Sequence, residues 1–355
     1  MALRRITNIA SLAALAAFFC AILCSCNKEG NQGAGWPNAG DVYVAGYQRS
    51  PQGRSAAMIW KNGQAQPLSD GFNNAAAACV FVSGMDVYAV GFEYNIQGTG
   101  VATLWKNGAP QRLSGGPSFA KALFVSGKDV YVAGSAANPQ GIDIAMLWKN
   151  GQGLPLSSGT SRSHANSVFV SGSDVFVAGY ENNSEGAAVA MLWKNGGPQL
   201  LSDGSRRANA HSVFASGGDV YVAGYENNSE GTRIAMLWKN GEAYSLSDGL
   251  ADAVAGSVFV SGKDVYVAGF ETNPQGTGFA ALWKNGTLSY LSEGSYHTHA
   301  HSVFVSGGNV YIAGGEMNTQ RANFAALWKN GSPQRLSEGN YPAWAHSVYV
   351  SGRGA

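Results

Sequence analysis

The chain repeats one short phrase seven times. Leu-Trp-Lys-Asn-Gly occurs six times among the 355 residues, and Ile-Trp-Lys-Asn-Gly at residues 59–63 is the seventh copy. A second phrase, Asp-Val-Tyr-Val-Ala-Gly, begins at Asp41, and variants of it begin at residues 86, 129, 174, 219, 264 and 309. The interval is 45 residues, except between 86 and 129, where it is 43. Seven units of this length indicate a β-propeller or a solenoid.

Each unit divides into four short runs that predict strands A to D. Residues 167–172 and 174–179 are β-branched and aromatic runs separated by one residue, and the glycine between them suits a tight hairpin turn. Residues 190–194 form the third run, which ends at Asn195-Gly196, a strong hairpin signal; residues 198–202 form the fourth. Four strands in about 45 residues are typical of a propeller blade.

The two ends of the repeat region distinguish a closed ring from an open solenoid. The region starts with strand B at Asp41 and stops with strand A at residues 347–352, so each end lacks the hairpin partner that the other end supplies. Pairing Val348–Val350 with Val42–Val44 would close a ring and remove the exposed strand edges. The capping repeats of a solenoid are missing. The sequence therefore predicts an all-β, seven-bladed β-propeller of four-stranded blades over residues 41–355.

The repeated phrase is interpreted as scaffold. A catalytic centre needs one set of reactive groups, whereas a residue present in all seven units meets a need of every blade. The tryptophans are expected to fill the space between neighbouring sheets, and Asn-Gly to supply the positive φ of a turn. The lysines and the aspartates at the start of strand B are expected to share one solvated face. The alternative is that the tryptophans contact an aromatic ligand.

The first 40 residues differ from the repeats. Arg4 and Arg5 precede an apolar run that ends in small residues, which is typical of a secretory signal over residues 1–25. Leu23-Cys24-Ser25-Cys26 resembles a bacterial lipobox and predicts a lipid on Cys26. Residues 26–40 then read as a lipidated cysteine and a flexible tether. The alternative is an uncleaved membrane anchor, since the run is about as long as a minimal span.

Two further expectations concern location and partners. The chain is similar to the WKNG-repeat propeller lipoproteins of bacteria and, distantly, to kelch-type blades. The resemblance covers residues 41–352, and it implies an outer-membrane-anchored lipoprotein of the cell envelope that faces the periplasm or the exterior. It implies no activity. A net charge of +1 gives no basic excess for nucleic acid, and we expect a monomer.

The candidate site lies where the repeats differ. The B–C loops and D–A linkers of a blade leave on one face, here called the top face, and loops on one face of a repeat scaffold usually carry binding. All six histidines of the chain fall just before the predicted strand A, beside aromatic residues such as Tyr341 and Trp344. The predicted ligand-binding residues are His164, Glu181, His211, Glu226, His297, His299, His301, Glu316, Tyr341, Trp344 and His346.

Glutamates near the B–C loops provide possible partners for these histidines. Counting outward from a two-residue A–B turn places His164 opposite Glu181 and His299 opposite Glu316, and directly opposed side chains can interact. Such a pair could serve as a ligand contact or as an acid–base couple. His297, His299 and His301 also have a His-x-His spacing that can chelate zinc-like ions, but no second unit repeats it. The sequence predicts no cofactor and no committed metal site.

Three functions remain open from the sequence. The first is a non-catalytic, lipid-anchored binding propeller that holds a glycan or an envelope protein at its top face. The second is a hydrolase or lyase that uses a His–Glu pair at the mouth of the channel. The chain has no nucleophile-elbow or phosphate-loop motif, which counts against this reading. The third is a structural assembly scaffold. Fold alone does not choose among them.

Overall fold

A computed structural model describes residues 37–292, 297–317 and 322–352. The predicted signal segment, Cys26 and most of the predicted tether lie outside the described residues. The described strands are β1(Val42–Arg49), β2(Ser55–Lys61), β3(Gln64–Pro67), β4(Ala75–Ser83), β5(Asp86–Tyr94), β6(Gly100–Lys106), β7(Ala109–Arg112), β8(Ser118–Ser126), β9(Asp129–Ala137), β10(Asp143–Lys149), β11(Gln152–Pro155), β12(Ser163–Ser171), β13(Asp174–Asn182), β14(Ala188–Lys194), β15(Gly197–Leu200), β16(Ala208–Ser216), β17(Asp219–Asn227), β18(Arg233–Lys239), β19(Glu242–Ser245), β20(Ala253–Ser261), β21(Asp264–Thr272), β22(Gly278–Lys284), β23(Thr287–Tyr290), β24(Thr298–Ser306), β25(Asn309–Met317), β26(Asn323–Lys329), β27(Ser332–Arg335) and β28(Ala343–Val350).

The strands form seven four-stranded antiparallel blades arranged in a ring. Six blades use consecutive strands, and the seventh, here called the closing blade, has the order β28-β1-β2-β3. Val350 pairs with Val42 and Val348 with Val44, so the predicted ring closure is confirmed. The N–H of Ser351 also donates to Asp41 O at 2.9 Å. The all-β, seven-bladed propeller is therefore the fold of this chain.

The repeated phrase builds every blade in the same way. Its tryptophans are 0–2% exposed and pack in the apolar layers between blades, which leaves no surface for an aromatic ligand. In blade β12–β15, Asn195 has a φ of 52° and its side-chain amide donates to Asp174 Oδ1 at 2.9 Å. Lys194 Nζ lies 2.8 Å from Asp174 Oδ2 and 5.4 Å from the centre of the Phe176 ring. The phrase is scaffold, and its lysine and aspartate share one face, as predicted.

A β-bulge interrupts strand A in all seven blades. In blade β12–β15, Ala165 pairs with Gly179 and Ser167 with Ala178, so Asn166 is the extra residue. A Cβ on Gly179 would lie only 2.0 Å from the carbonyl oxygen of His164, and the equivalent glycines of the other blades show 1.9–2.1 Å. Only glycine fits at this position. The bulge therefore requires glycine as the last residue of the Asp-Val-Tyr-Val-Ala-Gly phrase.

The inner strands surround the axis of the ring with a closed circle of aromatic side chains, here called the aromatic collar. Successive ring centroids are 4.5–5.1 Å apart, and the last ring, Tyr349, returns to the first, Phe81, at 4.7 Å. Tilted contacts of this kind are favourable for aromatic rings. The collar lines the part of the central channel nearest the A–B turns. Its members are Phe81, Phe124, Phe169, Phe214, Phe259, Phe304 and Tyr349.

Serine hydroxyls join neighbouring inner strands. Ser167 Oγ accepts a hydrogen bond from the N–H of Val213 in the next blade at 3.1 Å, and the same bond recurs at three following blade junctions at 3.2 Å. Ser347 makes it to Val80 at 3.4 Å. At the two remaining positions the chain has Cys79 and Ala122, and alanine has no hydroxyl. The serine hydrogen bond is therefore present at five of the seven junctions between blades.

Candidate functional site

The bulge residues of the inner strands form a second layer of the channel, here called the bulge belt. Asn166 Nδ2 donates to Ala210 O at 2.8 Å, His301 Nδ1 to Ala345 O at 3.0 Å, and His346 Nδ1 to Ala77 O at 3.2 Å. Each bond crosses to the next blade, so the belt side chains point around the channel. Its members are Ala78, Lys121, Asn166, His211, Gly256, His301 and His346.

The histidines near the channel are held uncharged. Burial, and then the charge of Lys121, lower the pKa of His211 to about 4. Burial, and then His301, lower the pKa of His346 to about 4. Burial likewise lowers the pKa of His301, and burial followed by the neighbouring histidines lowers that of His299 to about 4. At neutral pH these imidazoles are therefore hydrogen-bonding and stacking groups rather than cations.

Four of the predicted residues are linked by ring contacts. Trp344 stacks on His301 with ring centroids 5.4 Å apart and lies 6.0 Å from His299, while His346 lies 5.7 Å from His301. Gly315 makes room for the indole, because a Cβ there would lie 2.4 Å from it. We call His299, His301, Trp344 and His346 the indole cluster. It joins the inner strand of blade β24–β27 to that of the closing blade.

The predicted His–Glu pairs are wrong, and the bulge is the reason. Because strand A contains one extra residue, Glu181 pairs with Ser163 rather than His164, and Glu316 pairs with Thr298 rather than His299. The residues predicted to be D–A linker, such as 163–166, are the first residues of strand A, and the glutamates end strand B. In these two blades the histidine and the glutamate therefore lie on opposite faces of the sheet.

The glutamates have other partners. Glu316 Oε2 lies 3.6 Å from Arg335 Nε, and Glu181 accepts a hydrogen bond from Ser161 at 3.4 Å. Burial raises the pKa of Glu181, and burial followed by the charge of Asp203 raises the pKa of Glu226. None of these contacts provides an acid–base couple.

Two predicted histidines also have their own partners. His164 stacks on Tyr180 at 5.2 Å, and its nearest acid is Asp143 of the preceding blade at 3.9 Å. His211 meets Tyr225 edge-on at 5.6 Å. Neither belongs to the indole cluster, so the structure divides the predicted histidines between opposite sides of the channel.

The His-x-His run at residues 297–301 does not form a chelate. The rings of His297 and His299 are parallel at 6.5 Å, and those of His299 and His301 are 6.4 Å apart. His297 Nδ1 accepts a hydrogen bond from the N–H of Gly278 at 3.0 Å. In residues 37–292, 297–317 and 322–352, no group of three His, Cys, Asp or Glu side chains could hold a metal ion.

A cavity of about 540 Å³ lies between blade β24–β27 and the closing blade. We call it the seam cavity. Arg335, Glu338 and Tyr341 line it from one blade, and Gln48 from the other. Tyr341 is 38% exposed. Of these residues the sequence predicted only Tyr341, because Gln48 and Arg335 come together only when the ring closes. The indole cluster bridges the same two blades.

Comparison with known proteins supports the fold. No family model and no curated protein matches the chain. The propeller domain of the trilobed protease from Pyrococcus furiosus, described as having an open velcro topology, is similar with a TM-score of 0.52 and 11% identity, over 86% of this chain and 98% of that one. The present chain differs from that description, since β28 pairs with β1.

Two peptidase structures are also similar. A puromycin-hydrolyzing peptidase of Mycobacterium tuberculosis gives a TM-score of 0.57 at 13% identity, over 86% of this chain and 53% of that one. A puromycin hydrolase S511A mutant gives 0.59 at 11% identity, over 88% and 54%. The chain thus spans about half the length of each peptidase. At this identity the likeness establishes the fold alone.

Within the described ranges, no helix has the length and apolarity needed to cross a membrane.

Proposed function

We propose that this chain is a non-catalytic bacterial envelope protein, anchored by a lipid on Cys26, whose propeller binds a glycan. The observation that carries the proposal is the seam cavity, which is lined by Tyr341, itself 38% exposed, together with Arg335, Glu338 and Gln48. Its volume of about 540 Å³ is in the range of small-molecule sites. A tyrosine ring beside amide, carboxylate and guanidinium groups suits a sugar, which has an apolar face and a rim of hydroxyls.

A binding role fits the site better than catalysis does. The acid–base couples that the sequence predicted, His164 with Glu181 and His299 with Glu316, do not form in the described residues. The glutamates instead contact Arg335 and Ser161. The two peptidases supply no further argument, because their likeness is to the propeller fold. The support for a binding role is the geometry of the cavity.

Glycan binding can be measured on the chain that begins at Asn27. We expect at least one neutral hexasaccharide from a panel of plant and bacterial sugars to bind, as detected by calorimetry. Tyr341→Ala should weaken this affinity about tenfold, since stacked or anchoring aromatic residues contribute most at a binding site. Tyr244→Ala is the matched control, because Tyr244 is 45% exposed on a different blade. No binding by any sugar, or equal loss in both variants, would overturn the proposal.

The lipid anchor has its own test. In a bacterial host, the wild-type chain should partition into detergent, and mass spectrometry should find a mature N-terminus at Cys26 with acyl groups attached. Cys26→Ser should leave the chain unacylated and out of the membrane fraction, because the thiol is the acylation site. Cys79→Ser is the control. An acylated Cys26→Ser chain, or a wild-type chain that retains Arg4 and Arg5, would contradict the anchor.

A further inference from the structure

A lysine without a carboxylate partner lies in the bulge belt. Lys121 Nζ donates to Asn166 Oδ1 at 2.7 Å across the junction between blades β8–β11 and β12–β15. No ion pair joins Lys121 to an acid within the described ranges, whereas six repeated lysines, among them Lys106 and Lys194, each contact an aspartate. Lys121 is half-buried, and a cation partly withdrawn from water without a counter-ion is costly. Lys128, Lys263 and Lys329 also have no ion pair with an acid in the described ranges, but they are exposed, so Lys121 is unusual in being half-buried without one.

The groups around Lys121 do not neutralise it. Asn166 holds its own amide in place by donating to Asn209 Oδ1 and to Ala210 O, both at 2.8 Å, so its carbonyl oxygen faces the lysine. The nearby imidazoles of His164 and His211 both have a pKa of about 4 and are uncharged at pH 7. Asp143 lies 3.9 Å from His164 Nε2 and pairs with Arg162 at 3.5 Å.

The rest of the belt also lacks negative charge. Its members are Ala, Lys, Asn, His and Gly, with no carboxylate at any of the seven positions. The Nδ1 atom of His164 is buried and has no hydrogen-bond partner in the described part of the chain. Towards the A–B turns, the aromatic collar supplies an apolar surface. The channel therefore combines one uncompensated cation with a ring of aromatic side chains.

We propose that the central channel binds a small carboxylate, whose oxygens accept hydrogen bonds from Lys121 and whose apolar or sugar body rests against the aromatic collar. A monoanion matches the single charge of Lys121. A phosphate dianion would need a second cation, and the described belt offers none. This site lies apart from the seam cavity, so it does not depend on glycan binding there.

The proposal is tested by calorimetry on the chain from Asn27 at pH 6.5, with glucuronate and benzoate as probes. Glucose, benzyl alcohol and inorganic phosphate are the comparison compounds. The carboxylates should bind, and their neutral analogues should not. Lys121→Met should weaken binding at least about tenfold, the usual scale for a lost charge-assisted hydrogen bond. Lys121→Arg should restore most of it. Lys128→Met, in the exposed turn after the same strand, is the control.

The pH dependence provides a second readout. Burial lowers the pKa of Lys121 to about 8, so the ammonium is present below pH 8 and is lost above it. Affinity for glucuronate should fall about tenfold per pH unit above pH 8, and the amine pKa measured by NMR should rise when ligand binds. Since Lys121→Met removes an unpaired charge, it should fold with an equal or higher melting temperature. Tyr341→Ala should leave carboxylate affinity unchanged.

Three results would overturn the proposal. The first is that neither carboxylate binds to the wild-type chain. The second is that both bind with affinities unchanged in the folded Lys121→Met variant. The third is that phosphate binds more tightly than either carboxylate, which would assign a different ligand class to the channel. Loss of neutral-sugar binding in Tyr341→Ala alone would concern the seam cavity and leave this test unaffected.

Discussion

Deleting residues 343–352 is expected to abolish cooperative folding of the propeller. The deletion removes β28, whose Ala343, Ala345, Val348 and Val350 are at most 3% exposed, and leaves one edge of β1 unpaired. The expected loss exceeds about 5 kcal/mol, which is the lower end of the stability of an entire domain. Circular dichroism should show no sharp thermal transition, and limited proteolysis should degrade the chain. A chain that ends at Gly352 should behave like the wild type.

Restoring the strand at the other end of the chain should rescue the fold. When residues 341–352 are placed directly before Gly40 in the deleted chain, the new junction reads Ser351-Gly352-Gly40-Asp41. This repeats the A–B turn at residues 216–219, Ser-Gly-Gly-Asp. The rescued chain should recover a single sharp transition, because β28 then reaches β1 through a turn that the chain already uses. A deleted chain that melts at the wild-type temperature would show that ring closure is not needed for stability.

Replacing Gly179 with alanine should strongly destabilise the protein. The added Cβ would lie 2.0 Å from the carbonyl oxygen of His164, and backbone atoms cannot move aside as a flexible side chain can. The free energy of unfolding should fall by about 3 kcal/mol, within the upper range for strain at a required backbone position. Urea denaturation followed by tryptophan fluorescence measures this change.

The matched control is Gly115→Ala. A Cβ on Gly115 would meet nothing within 4 Å, and its φ lies outside the positive range. Alanine there restricts the unfolded chain and should stabilise the protein slightly or leave it unchanged. If Gly179→Ala lost no more stability than Gly115→Ala, the bulge would be an adaptable feature and the glycine would have another role.

The sequence was sufficient to predict the blades and their closure. Val42, Val44, Val348 and Val350 follow the period of two that defines strands, and the two half-hairpins at the chain ends had to pair to satisfy their edges. The last glycine of the Asp-Val-Tyr-Val-Ala-Gly phrase was also visible in every unit. The reason for this glycine could not be predicted, because the approach of a carbonyl oxygen to its Cα depends on the packing of the adjacent strand. The one extra residue in each bulge shifts the pairing, so that His164 and His299 do not face their predicted glutamates.

The site was harder to predict for a related reason. Gln48 and Tyr341 line one cavity although they lie almost at opposite ends of the propeller sequence, and only ring closure brings them together. Trp344 and His301 belong to adjacent blades and come into contact because Gly315 has no side chain. Contacts between blades of this kind have no local sequence signal. The concentration of histidines near the start of strand A was the available clue.

The junction between β4 and β8 is the weakest joint of the ring when only polar links are considered. Ala78 cannot reach the next blade, and Cys79 supplies a thiol 3.9 Å from Leu123 O in place of the serine hydroxyl. The same joint has the shortest covalent connection, residues 113–117, whereas the other D–A linkers span seven residues. A shorter chain segment limits how far two blades can separate, independently of any hydrogen bond between them. The short linker therefore limits the separation of these two blades at the junction where the polar links between inner strands are weakest.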